Sequence, residues 1–297
     1  MAQASKSVFV SIHRLYLSNM FETITIEKEG AIDVVSLNRP QRLNALNRKM
    51  IAELQDYFAG LRDNYQVRVV ILRGNGRGFC AGLDLRGGHS DLTGTQKERA
   101  SSKDRSDRSE GEVSKALRGQ RQIVNIFRKM KEAPQPIIAL VHGAATGGGF
   151  GLALAADIRL VTPEAKMNVA MFRMGTTGGD MGISYWLPRL CGLSVANELM
   201  LTGRFVNGKR AVRINLASEL YATQDDMEAG ARKLAEEMLA GDDNGLRLTK
   251  ECISLSVDAP SFENAVAMED RQQVLMVIAG DWKKRISNFN IKGKSRL

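Results

Sequence analysis

Residues 140–157 read LVHGAATGGGFGLALAAD. The stretch begins as a buried strand, breaks on Gly143, and sets Gly147, Gly148 and Gly149 in a row. An apolar helical run from Phe150 to Ala156 follows. A triple glycine at the mouth of a helix lets a ligand come close to bare backbone N–H groups. No acid or base stands beside those glycines to act on what they bind.

Working outward, the same grammar recurs. Thr23–Ile26 and Ile32–Leu37 alternate as two short strands around a Glu-Gly turn. Asn47 can cap a helix whose Met50, Leu54, Phe58 and Leu61 share one face. Val67–Leu72 is a buried strand running into the glycine-dense GRGFCAGLDL, residues 76–85. Helical spacing resumes at Val113, Leu117, Ile123 and Phe127 and ends before Pro134 and Pro136. Ile137–Val141 and Ile158–Val161 read as strands, and Ile183–Leu190 and Val195–Leu201 as helices. Strands and helices thus alternate up to about residue 221. Helices alone follow, at Asp225–Leu239, Leu246–Val257 and Phe262–Ala279. The expectation is an α/β core over 21–221, a helical C-terminal region over 222–297 and an N-terminal extension over 1–20. A polar excursion over 86–112, with KERASSKDRSDRSEGE at its heart, reads as a flexible lid or insertion.

Composition narrows the function classes. At 297 residues, 43% hydrophobic and 25% charged, the chain can bury a large core. Its three widely spaced cysteines give neither a disulfide framework nor metal-ligand spacing, and three scattered histidines suggest no metal site. The net charge of +9 suits an anionic ligand, an acidic surface or nucleic acid. Much of it lies between Lys97 and Lys131 almost without aromatics, which makes a solvated face a better reading than a nucleic-acid surface. Ile137–Ile158 is long enough to span a bilayer, but its strand-then-helix pattern marks it as core. Residues 1–20 lack any acid and carry Lys6, His13 and Arg14, a weak likeness to a mitochondrial presequence. The chain ends Ser295-Arg296-Leu297, a variant of a peroxisomal signal; this competing address is slightly favoured, so the expected compartment is peroxisomal in a eukaryote and cytoplasmic otherwise.

There is no nucleotide P-loop, no dinucleotide fingerprint and no nucleophile elbow. Two glycine-rich loops remain, 76–85 and 143–151, each closing a buried strand. Two N–H groups from separate loops, converging on one oxygen, make an oxyanion hole. Either loop alone could equally be a tight turn.

FCAGLDL, PQPIIA leading to VHGAATGGG, and RPQRLNAL together resemble the crotonase, or enoyl-CoA hydratase/isomerase, superfamily. AADIRLVTP, LPRLCG and ELMLTGR extend the likeness from about Phe21 to the C-terminal helices. The resemblance implies a spiral of β-β-α units, trimeric or hexameric assembly, and an acyl-CoA thioester as ligand, with coenzyme A arriving on the substrate and no separate cofactor or metal. By motif position, the oxyanion donors are the N–H groups of Leu83 and Gly148. Ala81, Leu85 and Gly147 flank them, and Arg42 matches the basic position that meets the coenzyme A phosphates, or is a plain surface arginine.

Two departures from the family matter. Hydratases of the superfamily carry a glutamate just after the glycine triplet and another downstream. Here those positions fall on Gly151 and on Met171 or its neighbours. Hydration needs a base for the water and an acid for the α-carbon. In GTTGGDMGISYWLPR, Asp180 falls where dienoyl-CoA isomerases of the superfamily place an aspartate. It reads either as general acid/base or as cap of the helix starting near Gly182. A single carboxylate favours double-bond isomerisation over hydration; a catalytically idle acyl-CoA binder is the alternative. His142 reads as a buried structural histidine, Asp84 as an organiser of its loop, and Asp157 as a cap or ion-pair partner.

Overall fold

The computed structural model describes residues 21–87 and 111–279, with Trp282 and Ile286. The polar run over 88–110, the N-terminal extension and Ser295-Arg296-Leu297 lie outside the described residues.

The chain opens with strands β1 (Ile24–Glu29) and β2 (Ile32–Leu37), then helix α1 (Arg48–Gly60) and β3 (Val69–Gly74). After the undescribed run come α2 (Glu112–Glu132), β4 (Ile137–Val141), β5 (Ala144–Thr146), α3 (Gly148–Ala155), β6 (Ile158–Val161) and β7 (Lys166–Asn168). Next are α4 (Ala170–Arg173), α5 (Ile183–Cys191), α6 (Leu193–Thr202), β8 (Val206–Asn207), α7 (Gly208–Arg213) and β9 (Glu219–Leu220). Three helices close the chain, α8 (Gln224–Leu239), α9 (Asp243–Ser256) and α10 (Phe262–Ala279).

Six strands form one sheet in the order β1-β2-β3-β4-β6-β9, antiparallel at the β1–β2 hairpin and parallel beyond it. A second, small sheet runs β5-β7-β8. Leaving the large sheet, β2, β3, β4 and β6 each lead into a short stretch that pairs with its counterpart from the next turn. Leu46 bridges Leu83, Cys80 bridges Ala145, β5 pairs with β7, and β7 pairs with β8. That stepwise ladder is the β-β-α spiral that the resemblance implies. The short strands escape periodicity because two or three residues cannot alternate enough to be seen.

Local chemistry explains the elements that frame the site. Asn47 accepts from the Met50 N–H at 2.9 Å and starts α1, an interaction worth about 1 kcal/mol. The expected face of α1 is inward, with Met50, Leu54 and Phe58 almost fully buried and Leu61 just beyond the helix with them. Helix α3 begins at Gly148, two residues earlier than its apolar run suggests, and all eight of its residues are buried. Glycines start this helix because it lies against the Cys80 loop: a Cβ on Gly149 would fall 2.0 Å from the Cys80 carbonyl oxygen. Gly147 enters it at φ 52°, ψ −116°, a conformation open to glycine. On the opposite side of the sheet, Met227, Ala231 and Ala235 of α8 cover Ile32, Val34, Val69, Ile71, Ile138, Leu140 and Leu160. Lys250 of α9 ties the C-terminal helices to the sheet, its Nζ 2.7 Å from Asp157 and 2.8 Å from the Gln135 carbonyl.

Candidate active site

The segment Cys80–Asp84 runs between two neighbours. On one side Ala81 donates to the Leu43 carbonyl, Leu46 donates to Gly82 at 2.7 Å, and Asp84 donates to Leu46 at 2.9 Å. On the other, Cys80 donates to Ala144 at 2.8 Å and receives from Thr146 at 3.0 Å. Since Gly82 and Asp84 are the residues bonded to Leu46, the N–H of Leu83 faces away from it, toward the side where Ala144–Gly148 run. Among the described residues neither the Leu83 N–H nor the Gly148 N–H has an acceptor. The two loops touch where these donors sit: a Cβ built on Gly82 would lie 3.3 Å from the Gly148 nitrogen and 2.6 Å from the Thr146 carbonyl oxygen. Gly148 is also the first residue of α3, where the helix dipole adds partial positive charge.

Of the remaining expected binding residues, Ala81, Leu85 and Gly147 lie on these two loops and Arg42 on the connection that pairs with the first. Ala81 is half-buried, with its carbonyl accepting from the Thr146 hydroxyl at 2.8 Å. Leu85 is exposed at the start of a short 3-10 turn, and Gly147 is buried, its N–H donating to the Asn168 carbonyl. Arg42 is exposed at the end of another 3-10 turn, and its guanidinium joins no ion pair among the described residues. An ion pair of 2.8 Å between Arg39 and Asp84 clamps the Arg42 loop to the Leu83 loop, so Asp84 organises its loop as expected.

Asp180 is half-buried on the segment entering α5. Its Oδ1 accepts from the Gln120 side-chain amide at 2.6 Å and from the Met181 N–H at 2.6 Å. Helix α5 itself is capped by Gly182 without any side-chain hydrogen bond, so the Asp180 carboxylate is not its cap. Met181 takes a left-handed conformation, φ 51°, costly for a side chain with a Cβ. The gain is position. Its sulfur lies 3.4 Å from the Cβ that Gly148 lacks, and its Cβ lies 3.5 Å from the one Gly151 lacks. Met181 therefore joins the Asp180 loop to the glycine loops.

At Gly151, where hydratases of the superfamily carry a glutamate, a Cβ would meet the Phe127 ring at 3.0 Å. Phe127 is buried and lies 6.4 Å, centroid to centroid, from Trp186. Met171, at or next to the second such position, is buried at the start of α4. Aromatic and thioether surface thus stands where two carboxylates would be.

Other candidates are structural. The His142 Nε2 lies 2.9 Å from the Gly76 carbonyl oxygen. Burial pushes this imidazole below its ordinary range, outweighing the Gly76 and Leu140 carbonyls and Glu228, which favour its charged form. Burial likewise pushes the Cys80 thiol up to about 12, leaving no thiolate nucleophile. Asp157 accepts from the Ile137 N–H and pairs with Lys250. Among the described residues no three His, Cys, Asp or Glu side chains gather as metal ligands, and no helix is long and apolar enough to cross a membrane.

Sequence reasoning missed Asn44, Gln120 and Met181. The buried Asn44 amide holds the Asn75, Gly78 and Phe79 carbonyls at the base of the first glycine loop. Its place in RPQRLNAL was the available signal. Gln120 and Met181 carry none, being common residue types that matter through where the fold sets them.

The family model for enoyl-CoA hydratase/isomerase matches residues 27–296. The chain is 33% identical over 266 residues to a protein of Mycobacterium tuberculosis named probable enoyl-CoA hydratase, covering 88% of this chain and 87% of that one. It is 27% identical over 277 residues to the peroxisomal Delta(3,5)-Delta(2,4)-dienoyl-CoA isomerase of Arabidopsis thaliana, covering 93% and 96%. The crystal structure of an enoyl-CoA hydratase from Bacillus anthracis superposes with a TM-score of 0.79 at 26% identity, over 91% of this chain and 97% of that one.

Proposed function

This chain belongs to the enoyl-CoA hydratase/isomerase family and processes acyl-CoA thioesters, and we propose that it moves a carbon–carbon double bond rather than hydrating one. The observation that carries this reading is the filled Gly151 position. Phe127 occupies the direction a hydratase glutamate would take, while one carboxylate, Asp180, is held beside the glycine loops through Met181.

The thioester carbonyl oxygen accepts from the N–H groups of Leu83 and Gly148. Asp180 removes a proton from the carbon chain, and the C–H electron pair passes into the thioester as an enolate whose oxygen those donors hold. Collapse of the enolate returns the proton from Asp180 to a different carbon. No carbon–oxygen bond forms, nothing is oxidised, and one carboxylate serves both steps, as it does not in hydration. Losing either donor costs about 3 kcal/mol of transition-state stabilisation. Ala81, Leu85 and Gly147 line the cleft, and Arg42, which joins no ion pair among the described residues, meets the coenzyme A phosphates. Coenzyme A arrives as part of the substrate, and the reaction calls on no resident cofactor.

The reading includes assembly into a trimer or hexamer. Support comes from α10, which exposes Val274, Leu275 and Ile278 at 55%, 56% and 78%. A monomeric mass in light scattering at micromolar concentration removes that part of it.

Asp180→Asn tests the chemistry. Turnover of a β,γ-enoyl-CoA or a conjugated dienoyl-CoA is expected to fall by roughly 10²–10⁴, with the fold intact by circular dichroism. Unchanged turnover would move the acid–base role elsewhere.

A further inference from the structure

We propose that Gln120 is the positioning residue of the acid–base group, fixing the Asp180 carboxylate by one oxygen so that its proton is taken up and released at the other. The inference rests on the role given to Asp180 above and adds to it a partner and a specific atom.

Helix α2 presents Ile123, Ile126, Phe127 and Met130 to the core, all nearly fully buried. Gln120 precedes Ile123 by three residues and Phe127 by seven, so it stands on the same stripe, a polar side chain continuing an apolar row. A polar group there needs a partner, and the partner is Asp180 Oδ1 at 2.6 Å. The Met181 N–H donates to that same oxygen at 2.6 Å. Two donors on Oδ1 occupy the lone pairs a proton would need, so Oδ2 is the oxygen left open to a proton. Among the described residues Asp180 joins no ion pair, so neutral dipoles orient the carboxylate without adding charge. Phe127, two turns along from Gln120, fills the space beside Gly151. One helix face therefore both excludes a second carboxylate and aims the one that remains.

In the reaction, Oδ2 of the ionised carboxylate takes the proton from carbon, and the C–H electron pair enters the enolate. The same proton then leaves Oδ2 for the other carbon, and Oδ1 stays hydrogen-bonded to Gln120 throughout.

The test uses the full chain with a medium-chain β,γ-enoyl-CoA in heavy water, following product and deuterium uptake together. Gln120→Leu is expected to lower kcat roughly 10-fold to 100-fold with KM within about twofold, because a misaimed base loses rate and not binding. Gln120→Asn, polar but one methylene short, should fall with it, and covers the case in which the leucine variant does not fold. In the Asp180→Asn background the Gln120 change should cost less than about twofold, the non-additivity of two groups acting as one. Equal losses in both backgrounds, or a Gln120→Leu enzyme at wild-type kcat while Asp180→Asn is inactive, would overturn the proposal alone. Wild-type turnover by Asp180→Asn, or no turnover and no exchange by the wild type, overturns the reading on which it rests.

Discussion

The two halves of the site are built by opposite means. The glycine-loop half is backbone: Leu83 and Gly148 offer N–H groups held by a ladder of main-chain bonds, Leu46–Gly82, Asp84–Leu46, Cys80–Ala144 and Thr146–Cys80. The proposed acid–base half is one side chain, Asp180, held by one amide from α2 and one N–H from a left-handed residue. In the first half the identity of a side chain matters little and its mere presence matters greatly. In the second the reverse holds. A methyl group should ruin one half, and a change of oxygen for nitrogen should silence the other while leaving the fold alone.

Gly149→Ala attacks the backbone half at its tightest point. The added Cβ would fall 2.0 Å from the Cys80 carbonyl oxygen and 2.7 Å from its carbon, so α3 or the Cys80 loop must move. Neither can give locally, because both belong to the ladder. The expected cost is several kcal/mol, a large part of the ~5–15 kcal/mol a domain possesses. Urea unfolding should show a collapsed midpoint or no folded baseline. An unchanged midpoint would mean the loops are not rigidly opposed.

Gly151→Glu sharpens the contrast by asking whether one half can be given the other's chemistry. The Cβ meets the Phe127 ring at 3.0 Å, so the substitution overpacks the site by roughly 1–3 kcal/mol and the carboxylate cannot seat beside the glycine loops. No hydration of an α,β-enoyl-CoA is expected from this single variant. Pairing it with Phe127→Ala opens the space and should recover stability relative to Gly151→Glu alone, measured by melting temperature. Hydration by the single variant would show that Phe127 does not exclude the glutamate.

The same contrast explains what could be read before any coordinates. Backbone constraints leave a residue signature: a position whose Cβ would fall 2.0 Å from the Cys80 carbonyl oxygen admits glycine alone, so both loops were visible in sequence. Long strands and amphipathic helices were legible too, since each repeats its pattern over several residues. The β5, β7 and β8 strands were not, because two or three residues carry no period. Gln120 and Met181 were not, because their importance is tertiary. Nothing in a glutamine sixty positions from Asp180 says that the two meet. The cap reading of Asp180 was a fair reading of residue type near a helix start, and geometry removes it, since Gly182 sits at the cap.

A smaller effect separates the halves by pH. His142 anchors the backbone half, its ring against the Gly76 carbonyl, and burial holds its folded pKa below the ordinary value near 6.5. The unfolded chain therefore binds a proton on this residue at a higher pH than the folded chain does. Its contribution to stability is complete above that ordinary value and is lost as pH falls toward the depressed folded value. In His142→Gln, whose amide can reach the same carbonyl, this contribution has no pH dependence. The wild type should lose more melting temperature than His142→Gln between pH 7.5 and 5.5, by about a degree or two for a chain this long. Activity normalised to folded protein should show no His142-dependent change over that range, because the imidazole holds a loop and has no part in the proposed proton transfer. Parallel melting curves for the two proteins would mean that the ring titrates as freely in the fold as out of it, and that the backbone half owes nothing to its burial.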